Sequence, residues 1–265
     1  MNTAKQLVDD LANTQKQTNI PPANNIRQLN ITPVKKTACE NCFLSSACFS
    51  GSLQTQNKQV LQDITHHPKP SHKGEYLYRQ GDALGSIYIV RSGAVKLYNV
   101  DSTGDQHIAG FCLPGELFGM DGMLEETYRY SAVALDTTSV CEIPFKKLVD
   151  SIADCPDMHR LLVTSLCREI HDKQQTLLRL HHKHVEVRLA TFLMRLSAHF
   201  ANIGQSAVEF TLPMSRRDIA LHLGMTEETI SRLFTRLQKD EVLAVQRRNI
   251  TINKPNSLKA LALEN

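Results

Sequence analysis

The chain has 265 residues, of which 42% are hydrophobic and 22% charged, and its formal net charge is +3. This composition is that of an ordinary globular protein, long enough for two domains with separate cores. No apolar run reaches the roughly 18 to 20 residues of a membrane-spanning helix, and acidic residues stand where a signal peptide needs an apolar core. We therefore expect a cytoplasmic protein with no membrane partner. The small net charge does not by itself indicate nucleic-acid binding, because the position of charges matters more than their sum.

The N-terminal region divides into a polar segment and a cysteine array. Residues 1–38 are rich in Asn, Gln, Thr and Lys and lack a sustained apolar period, which predicts a mobile tail. Residues 39–52 begin with CENCFLSSACF, which places Cys39, Cys42 and Cys48 in a C-x2-C-x5-C array. Because the cytoplasm disfavours disulfides, such an array is more typical of a metal or redox site.

The residues alone leave the chemistry of this array open. Structural zinc sites with four cysteines commonly contain two close pairs, whereas this chain has one pair and a third cysteine beyond it. A cubane iron–sulfur cluster usually takes four thiolates, so it requires a distant fourth ligand. The candidates for this fourth ligand are Cys112, Cys141, Cys155 and Cys167. Cys167 is best explained by packing. The sequence alone does not distinguish Cys112 from Cys141. Three apolar residues in the array either shield such a site or anchor the loop: Phe43, Leu44 and Phe49.

Residues 53–154 consist of short alternating runs punctuated by glycine, such as SIYIVRSGAVKLYNV and SVCEIPF. Strands of about four to eight residues with turn signals at such intervals predict an antiparallel β-roll or barrel.

From Pro156 the apolar period becomes that of a helix, and residues 155–184 are predicted to form one long helix. A helix of this length with a continuous apolar stripe, or seam, must pack against another element. We favour packing against the same helix of a second subunit over packing against its own domain. Lys173 lies on or beside the seam, where a charge weakens a tight dimer, so we expect conditional association. HHKH at 181–184 is interpreted as a solvated hinge. The apolar seam residues are Leu162, Leu166, Ile170, Leu177 and Leu180.

Residues 185–265 contain SRRDIALHLGMTEETISRLFTRLQKDEVLAV, which predicts a helix-turn-helix. Ser215 and Asp218 form a capping box at the start of one helix, and Gly224 ends it. Thr226 caps the second helix. Four apolar residues of the second helix share one face and are predicted to pack inward: Ile230, Leu233, Phe234 and Leu237.

The opposite face of the second helix carries Glu228, Ser231 and Arg232. Arginine reaches the two acceptors of guanine, glutamate accepts from the cytosine amino group, and serine contacts base edges or phosphate. The following EVLAVQRRNITINKP predicts a two-stranded wing with Arg247 and Arg248 at its turn, suited to phosphate contact. Glu228 and Arg232 alone would also fit a surface ion pair. The whole succession of signals favours binding to double-stranded DNA.

The order of roll, long helix and winged helix-turn-helix, with the motifs IVRSGAVK, GELFGMD, VCEIPF and MTEETISR, resembles the CRP/FNR superfamily of bacterial transcription regulators. Within it the chain is most similar to the oxygen-sensing FNR branch and its Anr-type relatives. The resemblance implies an α+β fold with an N-terminal antiparallel β-roll, a long dimerisation helix and a C-terminal winged helix-turn-helix.

The same resemblance implies a function. Such proteins are homodimers without enzymatic activity that hold one 4Fe-4S cluster per subunit and lose DNA binding when oxygen converts it. RNA polymerase is an implied partner, and Glu228, Ser231 and Arg232 fall on the base-reading positions for a TTGAT-type inverted repeat. The implied cluster ligands are Cys39, Cys42, Cys48 and Cys141.

The sequence departs from family patterns at two places. Lys173 stands near a seam position where the family commonly has Asp, which bears on the oxygen response of the dimer. Relatives that bind cyclic nucleotides do so through an Arg-Ser pair after the Gly-Glu loop. In this sequence Ser131 matches the serine, but Tyr130 stands in place of the arginine. Arg129 is one residue away and, in a strand, points to the other face. We therefore expect no cyclic nucleotide. The alternatives are a similar regulator with zinc or another effector, and an iron–sulfur electron-transfer protein, which leaves the reading helix unexplained.

Overall fold

The computed structural model describes residues 39, 42–45, 47–180 and 184–263. The predicted tail at 1–38 and positions 181–183 of the predicted hinge lie outside the described residues. Within the described part, none of the helices is both long enough and apolar enough to cross a bilayer.

The helices are α1 Thr55–Ile64, α2 Phe145–Asp154, α3 Pro156–Leu180, α4 Val185–Asn202, α5 Arg216–Leu223, α6 Glu227–Lys239 and α7 Pro255–Leu263. The strands are β1 Tyr76–Tyr78, β2 Ser86–Ser92, β3 Val95–Val100, β4 Gln106–Cys112, β5 Leu117–Phe118, β6 Ser131–Ala134, β7 Ser139–Pro144, β8 Glu209–Thr211, β9 Leu243–Gln246 and β10 Asn249–Ile252.

The predicted β-roll is confirmed, because β1 to β7 form two antiparallel sheets. Their strand orders are β1-β6-β3-β4 and β5-β2-β7. Side chains alternate between the two faces of each strand, so a strand can contribute to two cores. The core between the sheets includes Val90, Val95 and Cys112, and the rings of Tyr78 and Tyr128 stack there with centroids 3.7 Å apart.

A second core lies between the three-stranded sheet and the helices α2 and α3. Leu162 is only 8% exposed in it, and Leu166 packs against it. These two seam residues therefore pack on their own chain, which was the less favoured of the two sequence interpretations. Val163 and Ile170, one heptad apart, remain 45% and 58% exposed on α3. The side chain of Leu177 lies outside the described residues.

Lys173 is exposed on α3, yet its ammonium group has a partner in its own chain. Its Nζ donates to the backbone oxygen of Ala109 on β4 at 3.3 Å. The long lysine stem allows the charge to leave the apolar seam and reach this carbonyl. Within one chain, Lys173 thus ties the long helix to the roll.

The C-terminal domain packs on the outer face of the four-stranded sheet. A single core joins Ile108 and Phe111 of the roll to Phe192 on α4 and Ile219 on α5. His222 of α5 lies edge-on to Phe111, and its Nδ1 is 3.4 Å from the oxygen of Ile108. Burial lowers the pKa of His222 to about 4, so the imidazole is neutral at physiological pH.

The turn between β2 and β3 is tightly packed at Gly93, which allows a stability prediction. Gly93 has φ +81, and a Cβ there would lie 2.5 Å from the oxygen of Thr137. Gly93→Ala should therefore lower the free energy of unfolding by about 3 kcal/mol, through strain and overlap. Gly74 has a similar φ of +84 with nothing within 4 Å, so Gly74→Ala should cost only about 1 kcal/mol. Urea unfolding followed by circular dichroism measures both, and equal costs would contradict the packing argument.

Candidate cysteine centre and nucleic-acid interface

The cysteine loop is held by a hydrogen bond to α1, by hydrogen bonds within the loop and by two buried apolar side chains. The backbone N–H of Cys39 donates to Gln62 Oε1 of α1 at 3.0 Å. Those of Ala47 and Cys48 donate to the oxygen of Leu44 at 3.0 and 2.8 Å, and Leu44 is 1% exposed. Phe49 is also buried, whereas Phe43 is 63% exposed. Of the three apolar loop residues, two therefore anchor the loop, and Phe43 faces solvent.

Cys141 lies on β7 beside this loop. It is paired across the sheet with Ile89, and it packs against the same core as Cys48. Burial raises the pKa of Cys141 to about 12, and Coulombic repulsion from Cys48, Cys39 and Cys42 adds to it. Burial and then Cys48 and Cys42 likewise raise the pKa of Cys39. The fold thus brings Cys141 within electrostatic range of all three loop thiols.

The other candidate fourth ligands have different surroundings, although Cys155 packs against the same core as Cys48 and Cys141. Cys112 lies on β4 opposite Val95, in the core between the sheets. Burial raises its pKa well above the ordinary value, and the main charges acting on it are those of Glu116, Lys173, Glu169 and Arg195. Cys155 packs near the junction of α2 and α3. Cys167, expected to pack, is exposed on α3.

Cys39, Cys42, Cys48 and Cys141 form the candidate donor set for an iron–sulfur cluster. None of the seven cysteines forms a disulfide. In the part of the chain that the structure describes, no three Cys, His, Asp or Glu side chains already converge on a metal position. The donors nevertheless fit in number and softness, since such clusters take four thiolates. Lys58 and Arg91 act against burial at Cys39, although its pKa stays above the ordinary value.

The predicted helix-turn-helix and its caps are confirmed. Ser215 Oγ accepts from the N–H of Asp218 at 3.0 Å, and Asp218 Oδ2 accepts from the N–H of Ser215 at 3.1 Å. Gly224 ends α5 with φ +64. Thr226 Oγ1 accepts from the N–H of Thr229 at 3.2 Å and so caps α6.

The outward face of α6 is exposed and carries an ion pair. The four apolar residues predicted to face inward are all buried. The side chains of Glu228 and Arg232 are 71% and 78% exposed, with Arg232 Nη2 donating to Glu228 Oε1 at 2.6 Å. Ser231, between them on this face, is half-buried. An exposed ion pair of this kind stabilises a helix by less than about 1 kcal/mol. The bases of DNA can therefore compete for the carboxylate of Glu228 and the guanidinium of Arg232.

The two wing arginines have different surroundings. Arg247 is exposed at the turn between β9 and β10, with φ +58. Arg248 Nε donates to the oxygen of Leu212 at 2.9 Å, and its Nη2 donates to the oxygen of Pro213. Arg248 therefore fastens the wing to the segment before α5 and leaves Arg247 at the surface.

A basic cleft of about 270 Å³ opens beside the start of α5. Lys73, Arg216 and Arg247 contribute to its lining. The guanidinium of Arg216 lies 4.0 Å from the ring centroid of Phe234, and its Nη1 has no hydrogen-bond partner among the described residues. Such a cleft at a helix N-terminus suits a phosphate group.

One site contact has no local sequence signal. Lys96 of β3 forms a 2.8 Å salt bridge with Asp218, a residue 122 positions away. Burial alone would raise the pKa of Asp218, but hydrogen bonds from Lys96 and Ser215 outweigh it and hold the pKa below the ordinary value. The capping residue of α5 is thus also a link to the roll.

Together, the roll, long helix and winged helix-turn-helix define a two-domain DNA-binding regulator. Residues 68–154 match the cyclic nucleotide-binding domain family, and residues 187–261 match the Crp-like helix-turn-helix domain family. The transcriptional activator protein Anr of Pseudomonas protegens is 44% identical over 87% of this chain and 96% of its own length. The fumarate and nitrate reduction regulatory protein of Salmonella typhimurium is 41% identical over 84% and 90%. The structure of FixK2 from Bradyrhizobium japonicum superposes with a TM-score of 0.70 at 28% identity, covering 76% of this chain and 99% of that one. The chain therefore belongs to the CRP/FNR family of transcription regulators.

The Lys96–Asp218 contact leads to a prediction on stability. Its side chains are 14% and 13% exposed, and Lys96→Met should lower the free energy of unfolding by about 2 kcal/mol, because it leaves a buried carboxylate without its cation. A carboxyl whose pKa is lowered by folding stabilises the fold above the ordinary Asp pKa of about 4 and loses that contribution below it. The deficit should therefore be full at pH 7 and shrink as the pH falls below about 4.

Urea unfolding at several pH values measures this deficit. Glu125→Gln is the matched control, since it breaks an exposed pair with Arg129 and should change stability by less than about 0.5 kcal/mol. Equal costs for the two variants would contradict the role given to Lys96.

Proposed function

We propose that the protein is an oxygen-responsive transcription regulator in which Cys39, Cys42, Cys48 and Cys141 hold one 4Fe-4S cluster per subunit of a homodimer. The dimer binds TTGAT-type inverted repeats in double-stranded DNA and controls genes of anaerobic metabolism. The observation that carries this proposal is the placement of Cys141, and not Cys112, beside the three loop thiols. The names of the similar regulators, one of them for fumarate and nitrate reduction, are consistent with it.

When bound, the cluster supplies an oxygen-labile group that ties the loop to the roll. The chain's own residues provide the rest of the site. The buried Leu44 helps to hold the loop in place, and Cys141 supplies a thiol from a strand that the loop does not contain. The positive charges of Lys58 and Arg91 act on Cys39 and would offset the negative charge of four thiolates.

The proposed homodimer pairs the α3 helices of two subunits. Leu162 and Leu166 are already used in the core of one chain, so the exposed Val163 and Ile170 are the apolar residues available for pairing. We place Leu177 and the stem of Lys173 on the same interface. Two paired subunits present two copies of α6, which can read half-sites about one helical turn apart.

Glu228, Ser231 and Arg232 are the proposed base-reading residues, and Thr226 lies at the start of the same helix. Arg247 is the proposed phosphate contact of the wing. Arg248 acts through the position of the wing, because its guanidinium is bound to backbone oxygens.

The contacts of the residues at and beside the Arg-Ser pair of the cyclic-nucleotide relatives support the proposal that no cyclic nucleotide binds. Ser131 Oγ accepts from the N–H of Gln80 at 3.0 Å, and Arg129 pairs with Glu125 at 2.5 Å. The serine and the displaced arginine are thus both used within the roll. We also propose that the protein is a cytoplasmic non-enzyme that acts through RNA polymerase.

We propose five domains. They are a tail at 1–38, a cluster loop at 39–52, a sensory roll at 53–154, a dimerisation helix at 155–184 and a DNA-binding domain at 185–265.

The cluster is tested by anaerobic purification with iron and sulfide assays, followed by DNA-shift measurements before and after air. Cys141→Ser should abolish the cluster and the air-sensitive DNA binding, because a cubane loses one of its four thiolates. Cys112→Ser should leave both unchanged, since Cys112 lies in the other core.

Two results would count against this assignment. Loss of the cluster in Cys112→Ser, with retention in Cys141→Ser, would show that the fourth ligand is misassigned. A colourless wild-type protein with zinc, or one whose DNA binding ignores air, would favour the alternative regulator.

Base reading is tested by comparing two arginine variants on duplexes with single substitutions. Arg232→Ala should lose about 1–3 kcal/mol of discrimination at one guanine position, because a bidentate contact is removed. Arg247→Ala should weaken binding to all duplexes alike and reduce the salt dependence, since it removes a phosphate contact. Fluorescence anisotropy at several salt concentrations measures both, and an unchanged base preference in Arg232→Ala would contradict its role.

A further inference from the structure

The turn between β4 and β5 lies between the cysteine loop and the DNA-binding domain. It is held by backbone hydrogen bonds, in which Gly115 N–H donates to the oxygen of Val90 at 2.8 Å and Val90 N–H donates to the oxygen of Glu116 at 3.1 Å. Val90 follows Ile89, the residue paired with Cys141 across the sheet. The turn is therefore tied to the strand next to Cys141.

The loop side of this turn is in direct contact with the cysteine array. Gly115 has φ +92, and a Cβ at this position would lie 3.2 Å from the oxygen of Ala47 and 3.9 Å from the Cα of Cys48. Only a residue without a side chain allows this approach without displacement. A movement of the loop backbone at Cys48 would thus be felt at Gly115.

The other side of the turn reaches α4 of the DNA-binding domain through one carboxylate. Glu116 Oε2 accepts from the N–H of Leu113 at 2.9 Å, which holds the side chain across the turn. Its Oε1 lies 3.5 Å from His199 Nδ1 and 3.8 Å from Arg195 Nη2. The side chains of Glu116 and His199 are 29% and 15% exposed, so water screens the first contact only partly.

We propose that Glu116 is a positioning residue that couples the cysteine loop to the DNA-binding domain through His199 and Arg195. Its neighbour Gly115 touches the loop, and its carboxylate touches α4, so one dipeptide contacts both parts. The inference rests on the proposed function in that the loop is the sensing element. It adds a route within one subunit, independent of pairing between the α3 helices.

The coupling is tested by a double-mutant cycle in the full chain between Leu44→Ala, which loosens the loop anchor, and Glu116→Gln, which removes the carboxylate charge. The readout is amide hydrogen exchange in peptides covering residues 192–200 of α4. Leu44→Ala should speed this exchange about threefold in the wild-type background and leave it nearly unchanged in the Glu116→Gln background. If Leu44→Ala does not fold, Leu44→Val serves as the milder loop variant.

Glu125→Gln supplies the matched control, because it removes the same charge from an exposed pair within the roll. In this background Leu44→Ala should keep its full effect on α4. An equal effect of Leu44→Ala with and without the Glu116 carboxylate, or no effect on α4 in any background, would overturn the coupling.

DNA affinity provides a second readout on the same variants. With the duplex bearing the inverted repeat, Leu44→Ala should weaken binding about threefold more in the wild type than in Glu116→Gln. The iron and sulfide content of the wild type is measured in parallel. An iron-free wild type would refute the oxygen-sensing function, whereas the exchange cycle would still decide whether Glu116 couples the loop to α4.

Discussion

The packing of the DNA-binding domain on the roll is the contact on which the other features depend. Strands β3, β4 and β6 direct one set of side chains into the core between the sheets and the other set into a core shared with α4 and α5. The salt bridge between Lys96 and Asp218 lies at the edge of this shared core. Desolvating two charges is costly unless each is well paired. Asp218 meets this condition because it also accepts from Ser215, so the start of α5 and the position of the reading helix are tied to the roll.

The cysteine site illustrates a different electrostatic requirement. Burial raises the pKa of Cys39 and Cys141, and repulsion between neighbouring ionised thiols raises it further. Without a cation, such a group is stable only as neutral thiols. Cys39, Cys42 and Cys48 lie on the loop and Cys141 lies on β7, so the loop and the roll each contribute thiols to this group.

Helix α3 has apolar residues on more than one side, so its helical period does not reveal which of them pack within the chain. Leu162 and Leu166 meet the core of their own chain, while Val163 and Ile170 face outward. A three-to-four-residue period describes either surface equally well, because adjacent positions differ by about 100° around a helix. Lys173 adds a contact to β4 that no helical pattern reveals.

Short-range sequence patterns are sufficient to predict the local structure of this protein. Alternation and glycine turns predicted the roll, and the Ser215 and Thr226 caps with the inward face of α6 predicted the helix-turn-helix, because these depend on residues within a few positions of one another. Contacts between residues that are distant in the sequence are set by the tertiary structure. It placed Cys141 with the loop and Cys112 in another core, turned Arg248 toward backbone oxygens, and joined Lys96 to Asp218. These choices depend on strand pairing and domain packing, which bring together residues that share no local pattern.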